Sequence, residues 1–152
     1  MTDIYSLIPD FKKTIPKFLE KGNVFAVYGV DSDPNSLSYQ AYVTLKKEGL
    51  KLYALGPEDK VAGDKMYPGI KSLPQAPTVA CIVAQPDKTL AAVKDAHKNG
   101  IKMIWIDMGS ETQEAIDYCK ENNINTVYQH SLVNEIVSPT QKRLKELGKE
   151  IS

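Results

Sequence analysis

Asp31 and Asp33 stand two residues apart in the run GVDSDPNS, directly after the apolar stretch VFAVY. Paired carboxylates leaving a strand can hold Mg²⁺ for an aspartyl nucleophile or a phospho-acceptor. Asp107, which closes the apolar stretch IKMIWID, would be the third member of such a cluster. The other parts of that machinery are missing. One apolar run ends Ala84-Gln85-Pro86 without a carboxylate, and the last ends Tyr128-Gln129-His130 without a lysine. A metal-dependent, phosphatase-like reaction through Asp31, Asp33 and Asp107 is thus the competing expectation. Turn formation beside Pro34 and Asn35 is the simpler reading of the first two aspartates.

Gly29 points to a different chemistry, because a glycine between a strand and a helix is how many chains cradle a phosphate. The dinucleotide fingerprint GxGxxG would need glycine where Asp31 stands and glycine or alanine where Pro34 stands. No acid closes the second apolar run, which ends Leu55-Gly56-Pro57, and no GK[ST] follows Gly29. NAD-enzyme and P-loop readings fail together. His97 lies between Ala96 and Lys98 in a helical pattern, and His130 follows the last apolar run; neither has a nucleophile or a set of metal partners in the pattern. Cys81 and Cys119 form no CxxC and read as small core residues. Tyr39, Tyr42, Tyr53, Tyr67 and Trp105 share no basic face and read as packing rather than a stacking platform.

Five near-continuous apolar runs must position these groups: 23–29, 50–55, 78–84, 101–107 and 125–129. Runs of this kind are strands of a parallel sheet buried on both faces. Amphipathic patterns separate them. Leu37, Ala41 and Leu45 form one stripe, and Leu90, Val93 and Ala96 or His97 a second after Pro86. Ala115, Ile116 and Cys119 form a third, with Ser110 as its expected N-cap. Ile4, Leu7, Ile8, Phe11, Ile15 and Phe18 mark a flanking helix interrupted at Pro9 and Pro16, and Ser138-Pro139 opens another to about Leu147. The segment 56–77 carries four prolines and no helical stripe, with a short extended piece near Val61 to Gly63.

Alternating β and α units predict an α/β fold over 1–152, a doubly wound, parallel, five-stranded Rossmann-like sheet in strand order 3-2-1-4-5. Ligands of such sheets bind at the carboxyl ends of the strands, at the point where the winding reverses. The first loop is expected there, between strands one and four.

With 152 residues, 42% hydrophobic and 25% charged, the chain has the make-up of a soluble globular domain. A formal net charge of zero provides no global field for nucleic acid or anionic lipid. No apolar segment approaches the ~20 residues that span a bilayer, and MTDIYSLIPDFKK lacks the plan of a signal peptide. A cytoplasmic protein without nucleic-acid or membrane partners is the expectation.

Taken in order, these units resemble the small single-domain CoA-binding family and, through it, the CoA-binding domain of the succinyl-CoA synthetase alpha subunit. AVYGVDSDPNSLSY matches the family's strand, glycine turn and helix-opening SY; GLKLYALGP matches its second strand and tip. GDKMYPGIKSLPQAP is close to the family's GxxxYPSLxxIP, VAQPDK corresponds weakly to xRxPE, and GIKMIWIDMG corresponds well to GAKxVWxQxG. The family's final xVxxxRCPxxE is reduced to TVYQHSLVNEI. The resemblance implies a CoA-binding-type module. The lack of a nucleophile–base pair, a metal cluster or an arginine clamp in the sequence adds the expectation that it has no chemistry of its own. The resemblance assigns a small-molecule nucleotide ligand, CoA, to Gly29, Val30, Asp31, Ser38, Tyr39, Gly56, Pro57, Ala84, Gln85, Pro86, Gly109 and His130. The departures all move charge against a polyphosphate: Asp31 replaces a neutral residue, the third-strand arginine is absent, and Glu58 and Asp59 follow Pro57. Weakened CoA binding, or a smaller adenine nucleotide, is the resulting expectation. An interaction protein with a vacant crevice is a further alternative.

Overall fold

The computed structural model describes residues 10–137. All five apolar runs are strands in it: β1 (Val24–Tyr28), β2 (Lys51–Leu55), β5 (Val79–Ile82), β6 (Met103–Asp107) and β7 (Asn125–His130). Two shorter strands, β3 (Lys60–Val61) and β4 (Asp64–Tyr67), precede β5 in the chain. The seven lie in the order β3-β4-β2-β1-β5-β6-β7. Every neighbouring pair is parallel except β3 with β4.

The Rossmann-like, doubly wound architecture is as expected, but the count and order differ in detail. The run 78–84 does not lie beyond β2; it pairs with β1, Phe25 opposite Val79 through Tyr28 opposite Ile82. The place beyond β2 belongs to β4, which pairs there only through Ala54–Met66 and Leu55–Tyr67. With the sequence Asp-Lys-Met-Tyr and one buried side chain, Met66, β4 is too short and polar to announce itself by hydrophobicity. The winding therefore reverses between β1 and β5.

Side chains alternate across the strands and feed two apolar layers. Phe25 and Val27 of β1, Cys81 of β5 and Trp105 of β6 pack in one layer; Ala80 and Ile82 of β5 with Ile104 and Ile106 of β6 pack in the other. The first layer also holds Phe18 of the short helix α1 (Ile15–Phe18) and Tyr42 and Leu45 of α2 (Leu37–Lys47). The second holds Val93 and Ala96 of α3 (Pro86–Lys98) and Ala115 and Cys119 of α4 (Gln113–Glu121). Both cysteines are free and buried, as expected. Residues 132–137 are helical, and the helix read from Ser138 onward, like Ile4, Leu7 and Ile8, lies outside the described residues.

Two local readings are corrected. Leu37 is not part of the core stripe of α2: it is 84% exposed, and the helix packs through Leu45, as expected, together with Tyr42. The N-cap of α4 is Thr112, whose side chain accepts from the Ala115 amide, rather than Ser110. Ser110 closes a turn back to the Asp107 carbonyl, and its own carbonyl accepts from the buried Thr89 hydroxyl at 2.6 Å. In SETQEA both residues have capping chemistry, and that turn decides between them.

The crossover from β4 to β5 passes β2 and β1 with only a 3₁₀ turn, Ile70–Ser72, so the segment 56–77 has the predicted scarcity of helix. Ile70 packs into the α3 layer, and beside it one face of α3 is left open. No helix among the described residues is long and apolar enough to cross a membrane.

Candidate functional site

Gly29 has φ +92°, a left-handed conformation that side chains resist. A Cβ there would lie 2.7 Å from the Ala84 Cα and 2.9 Å from the Val83 carbonyl carbon. The loops after β1 and β5 therefore touch backbone to backbone, and the Val83 amide donates to the Tyr28 carbonyl at 2.9 Å. At Gly56, at the tip of β2, a Cβ would meet the Met66 Sδ at 2.7 Å, so the Met66 side chain would have to shift.

The β1 loop is organised by its aspartates. The Asp31 Oδ1 accepts from the Asp33 amide at 3.0 Å and from the Ser36 hydroxyl at 2.6 Å, while the Asp33 Oδ1 accepts from the Asn35 amide at 3.0 Å. These are side-chain-closed turns, the simpler of the two readings. Ser36 then caps α2 by accepting from the Tyr39 amide at 3.1 Å. The next amides, those of Leu37 and Ser38, meet no acceptor among the described residues, as helix starts leave them. They lie at the positive end of an eleven-residue helix.

A crevice of about 920 Å³ opens over these loops. Its walls are Gly29, Val30, Asp31, Ser36, Leu37 and Ser38 from the first loop, and Leu55 to Glu58 from the end of β2. Pro68 and Gly69, Val83 to Pro86, and Asp107 to Ser110 complete the rim. Tyr28 and the open face of α3, Lys88, Ala91, Ala92 and Asp95, extend it inward.

Of the residues assigned by resemblance, ten line this crevice and two do not. Tyr39 is half-buried against the core. His130 has its Nδ1 3.2 Å from the Glu135 Oε1 and its ring edge-on to Phe11. Its carbonyl accepts from the Trp105 indole at 3.1 Å and from the Met108 amide at 3.1 Å, so it braces a rim loop from behind. Lys88 and Asp95 were missed, although they share a helical face with Ala91 and Ala92 at the spacing that placed Leu90 and Val93. A polar stripe reads as solvated surface until the missing crossover helix is known.

The electrostatics are acidic. Asp31, Glu58, Asp95 and Asp107 line the crevice against a single cation among the described residues, Lys88. Burial raises the Asp107 carboxyl above its ordinary range, opposed by donation to its Oδ1 from the Leu132 amide at 2.8 Å and the Trp105 indole at 3.2 Å. Burial, and then a 2.7 Å hydrogen bond to the Asp95 Oδ2, push the Tyr28 phenol far up, so it stays a donor. Asp33 is not a lining residue, and no three His, Cys, Asp or Glu among the described residues are grouped to hold a metal. The acidic-cluster expectation gains no support from this geometry. His97 is tied to the Tyr118 hydroxyl at 2.7 Å and lies outside the crevice. What the site offers is shape, free amides and hydrogen-bond acceptors.

The family model described as CoA binding domain matches residues 23–136. Among solved structures, Prb, a protein redesigned for binding, is 22% identical with a TM-score of 0.76, over 85% of this chain and 92% of that one. A hypothetical protein of Pyrococcus horikoshii OT3 is 23% identical with a TM-score of 0.75, over 89% and 94%. The apo form of a dinucleotide-forming acetyl-coenzyme A synthetase of Ca. Korarchaeum cryptofilum is 24% identical with a TM-score of 0.62; the alignment covers 73% of this chain but 27% of that one. At these identities the structures share the fold. No curated protein matches the chain.

Proposed function

The chain belongs to the CoA binding domain family, and from that premise we propose that its crevice binds CoA, an acyl-CoA or a smaller adenine nucleotide without carrying out chemistry on it, and binds CoA weakly. The observation that carries this reading is the first loop. Free amides at the start of α2 suit a phosphate, but the Asp31 carboxylate stands in the same lining. Two like charges ~4 Å apart repel by ~4 kcal/mol at an effective dielectric near 20, and solvent and salt reduce that. One retained carboxylate still costs a diphosphate much of its affinity.

Isothermal titration with CoA, acetyl-CoA and ADP tests the reading, using the unaltered chain, Asp31→Ser and Asp31→Asn. Asparagine keeps an acceptor for the Asp33 amide and removes the charge. Both variants are expected to bind CoA roughly tenfold or more tightly than the unaltered chain. Tight CoA binding by the unaltered chain, or no gain in either variant, would overturn the role given to Asp31. Near-stoichiometric NAD, FAD or FMN released from the denatured protein would overturn the ligand class.

A further inference from the structure

Among the described residues, the exposed large hydrophobic side chains are Leu37, 84% exposed, and Met108, 56% exposed. Both line the crevice described above. A single exposed leucine needs no explanation; a pair confined to one rim does. We infer that Leu37 and Met108 are its two lips and cover an apolar group of the bound ligand, an inference that rests on the nucleotide-binding reading above.

The fold places them on separate elements. Leu37 is the first residue of α2, after the β1 loop, and Met108 follows β6. β1 and β6 are separated in the sheet by β5 alone, two strand spacings or roughly 9.6 Å. The lips thus belong to loops on either side of the β5 tip, where Ala84 lies against Gly29.

Neither side chain is needed for the core, yet the backbone under each is held. Ser36, just before Leu37, is bonded on both sides, to Asp31 and to the Tyr39 amide. The Met108 amide donates to the His130 carbonyl at 3.1 Å, and the next amide, Gly109, donates to the Glu111 carboxylate at 3.0 Å. Fixed backbones presenting bare aliphatic side chains beside free amides match a ligand whose anionic group adjoins an apolar one. Leucine supplies a branched face, and methionine an adaptable one. In a nucleotide thioester the apolar group is the purine, the pantetheine arm or the acyl chain.

The test uses the full chain carrying Asp31→Asn, with and without Leu37→Ala plus Met108→Ala. Its probes are ADP, CoA and octanoyl-CoA by calorimetry, and inorganic pyrophosphate by amide chemical shifts. Both lip positions are exposed, so the thermal midpoint should not move. Losing the lips should weaken apolar ligands about tenfold and leave pyrophosphate unchanged. Loss for all three organic ligands assigns the covered group to the purine; loss for CoA and octanoyl-CoA assigns it to the pantetheine arm; loss for octanoyl-CoA alone assigns it to the acyl chain. Unchanged affinities throughout, or an equal loss for pyrophosphate, would overturn the inference while leaving the binding reading intact. If the parent chain binds none of the four probes, the binding reading falls and takes this one with it.

Discussion

Gly29 is strained for any side chain and crowded by a neighbouring loop, and the two effects can be separated. Gly63 also has a left-handed φ, +82°, but nothing stands within 4 Å of where its Cβ would be. Gly63→Ala should cost about 1 kcal/mol and Gly29→Ala two to three times as much, read as a shift in urea midpoint at constant slope. Equal costs would mean that the contact with Ala84 yields easily. Asp107 supports a prediction of opposite sign. Its carboxyl is raised by burial, so the fold favours the protonated form. Stability is then lost as pH rises from the unfolded value near ~3.9 through the higher folded one. Asp107→Asn keeps the acceptor for the Leu132 amide and the Trp105 indole without the buried charge. It should melt above the unaltered chain at pH 7, and the gap should close below the ordinary carboxylate range. A gap independent of pH would sink this account.

The hairpin of β3 and β4 lies between two segments that line the crevice, 55–58 and 68–69, and is tied to α2 by a small polar network. The Tyr42 hydroxyl donates to the Asp64 Oδ2 at 2.7 Å, and the Lys46 ammonium donates to the Asp64 Oδ1 at 2.6 Å. Burial alone would raise the Asp64 carboxyl, but the Lys46 and Tyr42 hydrogen bonds and the Lys46 charge outweigh it and hold it low. That stability is fully present above the unfolded value near ~3.9 and is lost as pH falls through the lower folded one. Tyr42→Phe should cost about 1 kcal/mol at pH 7, and the stability gap between the unaltered chain and Asp64→Asn should shrink toward pH 2. A thermal melt series across pH measures both. The same hairpin explains why the strand order was only partly legible. Apolar runs such as TVACIVA declare themselves because both faces of the sheet are covered. β4 buries a single side chain, Met66, and with β4 unread the run 78–84 takes the place beyond β2. Leu37 misled for a related reason: helical spacing records which residues share a face, not whether that face is buried.

On the scale of the whole molecule, charge distribution matters more than total charge. The chain is formally neutral, yet its crevice is lined by four carboxylates and, among the described residues, one cation, Lys88. A basic site loses affinity for an anion as salt rises. This one should hold or gain affinity for CoA between about 20 and 200 mM salt, because the ions screen a repulsion. Titrations at the two ionic strengths decide it, and a steep loss with salt would show that Lys88 and the α2 dipole dominate. Ten of the lining residues were reachable through the family resemblance, which maps a ligand onto the tips that follow plain strands and onto Ser38 of the helix-opening SY. Lys88, Asp95 and Tyr28 were not, because their place in the crevice depends on the β4–β5 crossover being bare of helix, a property of the three-dimensional path.

The hairpin's thin attachment also sets how its amides exchange with solvent. β4 meets β2 through two residue pairs, and on its other side only the two-residue β3, where Lys60 faces Lys65. Such a unit opens without the rest of the sheet. In deuterium exchange, residues 60–67 should label well before β1, β5 and β6, at a rate unaffected by mild denaturant. A ligand bridging Gly56 and Pro68 to the first loop would couple that opening to its own release. Bound protein should then protect the hairpin by the full binding free energy, while the already slow centre of the sheet gains protection only through global unfolding.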